Sequence, residues 1–164
     1  MKPAPLRIGH RAASLRIEGK ADRFITYTVP GTRIRQTLGA PIFSIDNQDI
    51  PCALTQVVQR AKSRRLPNGA TEHVFGGPVA GLPGLELDLI LRVPARSPVI
   101  RFQYRLRSTG PVFRLTKPQG RDALTYLTAT LPVAGLTEVQ LNAFNYSNHF
   151  STLQEIPIGP ERFA

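Results

Sequence analysis

From Leu85 to Val93 every odd-numbered position is apolar, while Glu86, Asp88 and Arg92 share the other parity. A two-residue period of this kind marks a strand with one face buried and one wet. After Pro94-Ala95-Arg96-Ser97-Pro98 the alternation resumes with the parity reversed. Ile100, Phe102, Tyr104 and Leu106 now fall on one face, and Arg101, Gln103, Arg105 and Arg107 on the other. Two such runs joined by a short link predict an antiparallel hairpin. Weaker strand patterns cover 13–18, 24–29, 32–38, 41–45, 53–60, 71–75, 123–130 and 137–143.

Turn residues separate these runs. Pro30-Gly31, Asp46-Asn47-Gln48-Asp49, Pro67-Asn68-Gly69 and Ser108-Thr109-Gly110-Pro111 all tolerate turn backbone angles. The breaker-rich stretch Gly76 to Gly84 is expected to be the longest loop. No segment keeps a helical period. The pattern predicts an all-β fold, an antiparallel β-sandwich, with residues 1–164 as one domain. After the last strand pattern no closing element follows through Ile156 to Ala164. The sandwich is therefore expected to be the amino-terminal part of a longer chain, incomplete at its carboxy-terminal end.

Composition narrows the class. Apolar residues make up 41% of the 164 and charged ones 20%, as in a folded globular domain rather than a disordered chain. No run of 18 apolar residues and no signal-peptide core occurs, so neither a membrane span nor export is encoded. Cys52 is the sole cysteine, which rules out an internal disulfide and suits a buried structural thiol in a reducing compartment. The expected location is the cytoplasm. The sequon Asn145-Tyr146-Ser147 matters only for a secreted chain.

The formal net charge is +10, and 17 of the 21 basic residues are arginine. The arginines are spread along the chain, with one local cluster at Lys62-Ser63-Arg64-Arg65. A genome-wide preference for arginine accounts for such a composition without a polyanion partner. Single-strand nucleic-acid binders interleave cations with stacking aromatics. Phe102 and Tyr104 lie on the parity opposite Arg101, Arg105 and Arg107, so they read as core, and nucleic acid is disfavoured as a partner.

Candidate chemistry is sparse. His10, His73 and His149 have neither an i,i+4 partner nor a cysteine pair, so no metal site and no cofactor is predicted. Serine-hydrolase elbows and phosphate-binding loops are absent from the sequence. Glu86 and Asp88 are the obvious candidate carboxylate pair for glycoside hydrolysis. On a strand, however, their natural neighbours are the arginines of the next strand, and cross-strand ion pairing is the expected role. Asp46 and Asp49 read as turn residues. No catalytic residue is assigned, and substrate-binding residues are unknown. The chain has no Trp to stack on a sugar ring.

Three segments, Thr32–Phe43 (TRIRQTLGAPIF), Lys117–Leu127 (KPQGRDALTYL) and Glu138–Asn145 (EVQLNAFN), resemble the amino-terminal β-sandwich of bacterial α-galactosidases of glycoside hydrolase family 36. Phe144-Asn145 followed by His149 resembles a Phe-Asn-x-x-x-His stretch of that domain. The resemblance implies a parent enzyme in which a (β/α)8 barrel of the same longer chain carries out retaining hydrolysis of α-galactosides with two aspartates. This chain would then be non-catalytic. It would support barrel packing, homo-oligomer assembly and pocket closure, and meet the galactoside only indirectly. Two alternatives stand beside it: a self-contained carbohydrate-binding or protein-interaction module, and, less favoured, a polyanion-binding domain.

Overall fold

The computed structural model describes residues 6–10, 12–117, 124–129, 138–145 and 150–157. The described residues form an all-β, antiparallel β-sandwich fold without helix. The chain divides into two compact units, 1–130 and 131–164.

The first unit contains three sheets. One has β1 (Leu6–His10), β2 (Ala13–Ile17), β3 (Ile25–Thr28) and β4 (Arg35–Leu38), in that spatial order. β5 (Ile42–Ile45) and β6 (Gln48–Pro51) form a hairpin, extended at its edge by the two-residue β11 (Leu124–Thr125). The longest strands, β7 (Val58–Arg65), β8 (Thr71–Pro78), β9 (Leu85–Val93) and β10 (Arg101–Ser108), form the third sheet as an up-and-down meander. The second unit contains the hairpin of β12 (Glu138–Asn145) and β13 (Phe150–Pro157), with Glu138 opposite Pro157 and Asn145 opposite Phe150.

The core of the first unit follows the alternation. Leu85, Leu87, Leu89, Leu91 and Val93 of β9 are buried, with Phe75 beside them. They cluster with Leu15, Ile17 and Ile25 of the first sheet and with Phe43 and Ile45 of β5. Each fully buried leucine of this kind contributes about 1.5–3 kcal/mol through area removed from water. Phe102, Tyr104 and Leu106 pack against the cluster from β10, as their parity requires.

Some boundaries differ from the pattern. The turn between β5 and β6 is only Asp46-Asn47, both with positive φ (49° and 67°), the conformation of a two-residue hairpin turn whose twist matches its strands. Gln48 and Asp49 already belong to β6. Gly76, Gly77 and Pro78 belong to β8 rather than to a loop. The strand expected over 53–60 instead runs Val58–Arg65, so the cluster Lys62-Ser63-Arg64-Arg65 is part of an edge strand with two register irregularities. Residues 118–123, most of one segment of the family resemblance, lie outside the described residues, as do Tyr146, Ser147 and His149.

Candidate functional site

β9 and β10 pair so that Arg107 stands across from Glu86 and Arg105 across from Asp88. Asp88 is as inaccessible as the core leucines, at 0% exposure. Burying a carboxylate is costly unless hydrogen-bonded cations surround it, and here they do. Arg105 donates from Nε and Nη2 to Asp88 Oδ2 at 3.1 and 2.8 Å. Arg107 donates from Nη2 to Glu86 Oε2 at 2.9 Å, and its Nε lies 3.3 Å from Asp88 Oδ2.

A third guanidinium arrives from two strands away. Arg60 of β7 places Nη2 3.0 Å from Glu86 Oε1 and Nε 3.5 Å from Asp88 Oδ1. Its path crosses β8 where Gly76 pairs with Asp88. A Cβ on Gly76 would come 2.5 Å from Asp88 Oδ1 and 2.6 Å from the Leu87 carbonyl oxygen. Glycine here provides space for the buried carboxylate, which is why this part of the sequence reads as a loop and folds as a strand.

A second cluster lies toward the other end of the same face. Glu72 of β8 accepts from Arg64 Nη2 at 2.8 Å and from Arg92 Nε at 3.0 Å. The hydrogen bonds from Arg92 and Arg64 hold its carboxyl below the usual carboxylate range. Arg101 pairs in register with Arg92, and no carboxylate lies within ion-pair distance of it among the described residues. Along this face six guanidinium groups (Arg60, Arg64, Arg92, Arg101, Arg105, Arg107) meet three carboxylates (Glu72, Glu86, Asp88), a surplus of three positive charges.

This arrangement decides what the carboxylates can do. A hydrolytic pair needs one carboxyl free to give up a proton and a gap for the sugar between the two. Glu86 and Asp88 are instead bridged by the guanidinium groups of Arg60 and Arg107, and Asp88 has no open side. They serve as counter-ions, the role their spacing predicts. Asp46, in its turn, is tied to the backbone of a distant segment: its N–H donates to the Arg114 carbonyl at 2.9 Å, and its Oδ1 accepts from the Arg114 N–H at 3.3 Å.

Other candidates are equally occupied. Cys52 is buried, and burial pushes its thiol up to about 11, so it is protonated at neutral pH and a poor nucleophile. No group of three or more His, Cys, Asp or Glu that could hold a metal ion exists among the described residues. His73 Nδ1 lies 2.8 Å from Ser63 Oγ, and the ring stacks on Phe75. This serine–histidine contact is invisible in sequence, since it depends on the irregular register of β7. Burial lowers the imidazole below its ordinary pKa, so it is neutral at pH 7. Among the described residues no carboxylate orients the ring, so the pair lacks the third member of a nucleophilic triad.

An apolar groove of about 310 Å³ opens between the first sheet and the β9–β10 hairpin, lined by Leu15, Ile25, Leu38, Leu91 and Phe102. Val99 at its rim is 64% exposed. The Tyr27 hydroxyl donates to the Pro98 carbonyl at 2.7 Å and ties the link before β10 to the first sheet. Nearby, Tyr126 stacks on Phe102 and donates to its carbonyl at 2.8 Å. Among the described residues no helix is long and apolar enough to cross a membrane. Comparison with protein-family models, with curated proteins and with solved structures finds no match to this chain.

Proposed function

We propose that this chain is a non-catalytic β-sandwich, the amino-terminal domain of a cytoplasmic α-galactosidase-like retaining glycoside hydrolase. In that role it supports packing of a (β/α)8 barrel in the same longer chain, homo-oligomer assembly and closure of the substrate pocket. The observation that carries the non-catalytic reading is the engagement of Glu86 and Asp88 by Arg60, Arg105 and Arg107. The best-spaced carboxylates of the chain are held as counter-ions.

The resemblance of Thr32–Phe43, Lys117–Leu127 and Glu138–Asn145 to the family supplies the proposed parent. The groove, together with exposed Val99, Val112 and Leu115, supplies apolar surface of the kind that a neighbouring domain covers. Substrate would be met by aspartates of the barrel and only indirectly by this chain.

Sequencing the DNA downstream of the Ala164 codon tests the proposal. The expected result is an open frame that continues into alternating strand and helix patterns with aspartates at strand ends. A stop codon directly after Ala164 overturns it, and the self-contained carbohydrate-binding or protein-interaction module then takes its place.

A further inference from the structure

The arginines, dispersed in sequence, are gathered by the fold. β7 to β10 contain eight of the cationic side chains (Arg60, Lys62, Arg64, Arg65, Arg92, Arg101, Arg105, Arg107) and three carboxylates. The six guanidinium groups of the outer face form two rows across the strands. Arg101, Arg92 and Arg64 make one row with Glu72 among them, and Arg105, Arg107 and Arg60 make the other around Glu86 and Asp88. Arg92 lies four steps along the strand from Asp88, so the rows lie roughly 13 Å apart.

The carboxylates do more than neutralise. Each engages one or two nitrogens of a guanidinium, which fixes its plane and leaves further N–H donors of the five unspent. Arg92, for example, uses Nε on Glu72 and keeps both Nη groups, and it is exposed. Arg105 keeps Nη1. Held forks lose less freedom on engaging an anion than free side chains do.

We infer that the outer face of the β7–β10 sheet is a docking surface for an anionic polysaccharide, a linear glycan bearing carboxylate or sulfate groups. Charge complementarity carries the assignment, and the form of the face selects the polymer. The aromatic residues of β10, Phe102 and Tyr104, pack on the opposite side, so a nucleic-acid base finds no ring to stack on. Among the described residues the donors stand on the strands of a four-stranded sheet, with no helix beside them to enter a duplex groove. A flexible glycan chain can lie across both rows. The inference does not rest on the proposed parent enzyme.

The test uses the full chain and heparin, a linear sulfated glycan, with isothermal titration at several salt concentrations. Binding is expected to weaken by roughly threefold for each engaged guanidinium between about 50 and 200 mM salt. The double variant Arg92→Ala/Arg101→Ala is expected to bind about tenfold more weakly. Arg33→Ala/Arg35→Ala removes the same charge from exposed positions at and just before β4 and is expected to leave affinity nearly unchanged. Circular dichroism checks that both variants fold. Three results would overturn the inference: no heparin binding at low salt, equal losses in both double variants, or binding to duplex DNA as tight as to heparin. The last would assign the face to a phosphate backbone.

Discussion

The two faces of the β7–β10 sheet are built by opposite rules from the same strand. On β9, Leu87 and Asp88 are adjacent and equally inaccessible, yet one is buried by packing and the other by ligands. The inner face needs only apolar volume in the right parity. The outer face needs particular partners at particular atoms: Arg105 across the ladder, Arg107 diagonally, and Arg60 over the gap at Gly76. Burial on one side is therefore tolerant of chemistry, and on the other it is specific.

The largest expected effects separate these rules. Leu89→Ala, with the side chain 1% exposed, is predicted to cost about 2–5 kcal/mol by lost burial and the cavity left behind. Urea denaturation would measure it, and a loss under about 1 kcal/mol would show a loosely packed inner face. Asp88→Ala is predicted to cost about 2–3 kcal/mol, less than a wholly buried pair, because Arg105 and Arg107 are half-exposed and can hydrate. Replacing Arg105 in the Asp88→Ala background should then add little. Independent additive losses would break the claim that the two act as a unit.

Gly76→Ala comes next, at about 1–3 kcal/mol, since its Cβ would press on Asp88 Oδ1 and the Leu87 carbonyl. Combining it with Asp88→Ala should recover part of that loss. Full additivity would mean that backbone crowding alone sets the cost.

Smaller effects concern pH. The Glu72 carboxyl is held low in the folded state, so the unfolded chain binds its proton first. The stabilisation from Arg64 and Arg92 is complete above the ordinary value of 4.5 and is lost as pH falls through the folded value. Glu72→Gln should flatten stability over that range, and high salt should do the same. His73 shows the reverse chemistry with the same direction. Burial favours its neutral form, so the unfolded state protonates first and stability declines as pH falls from 6.5 toward the folded value. His73→Gln should remove that slope in denaturation curves at pH 5 to 7.

These contrasts also explain which parts of the molecule were legible. The β9–β10 hairpin and the pairing of Glu86 and Asp88 with arginines could be read because alternation and register are both local. The sequence pattern places β7 too early, because nearly all its residues are exposed and apolar periodicity is missing from it. Gly76 and Gly77 disguised the end of β8, because glycine has no side chain with which to show a period. β1, β6 and β13 gave no strand signal recognised from sequence. Arg60 meeting Glu86 across an intervening strand, and Ser63 meeting His73, depend on register shifts in β7. No spacing rule reaches either contact.

The paired carboxylates of the outer face hold guanidinium groups, and the proposal is that they turn over no glycoside. Incubating the purified chain with 4-nitrophenyl α-galactoside at neutral pH, beside its Glu86→Gln and Asp88→Asn variants, tests it most directly. The account predicts nitrophenol release equal to the buffer blank for all three proteins. Release by the parent chain that either variant abolishes would contradict it and return Glu86 and Asp88 to a catalytic role.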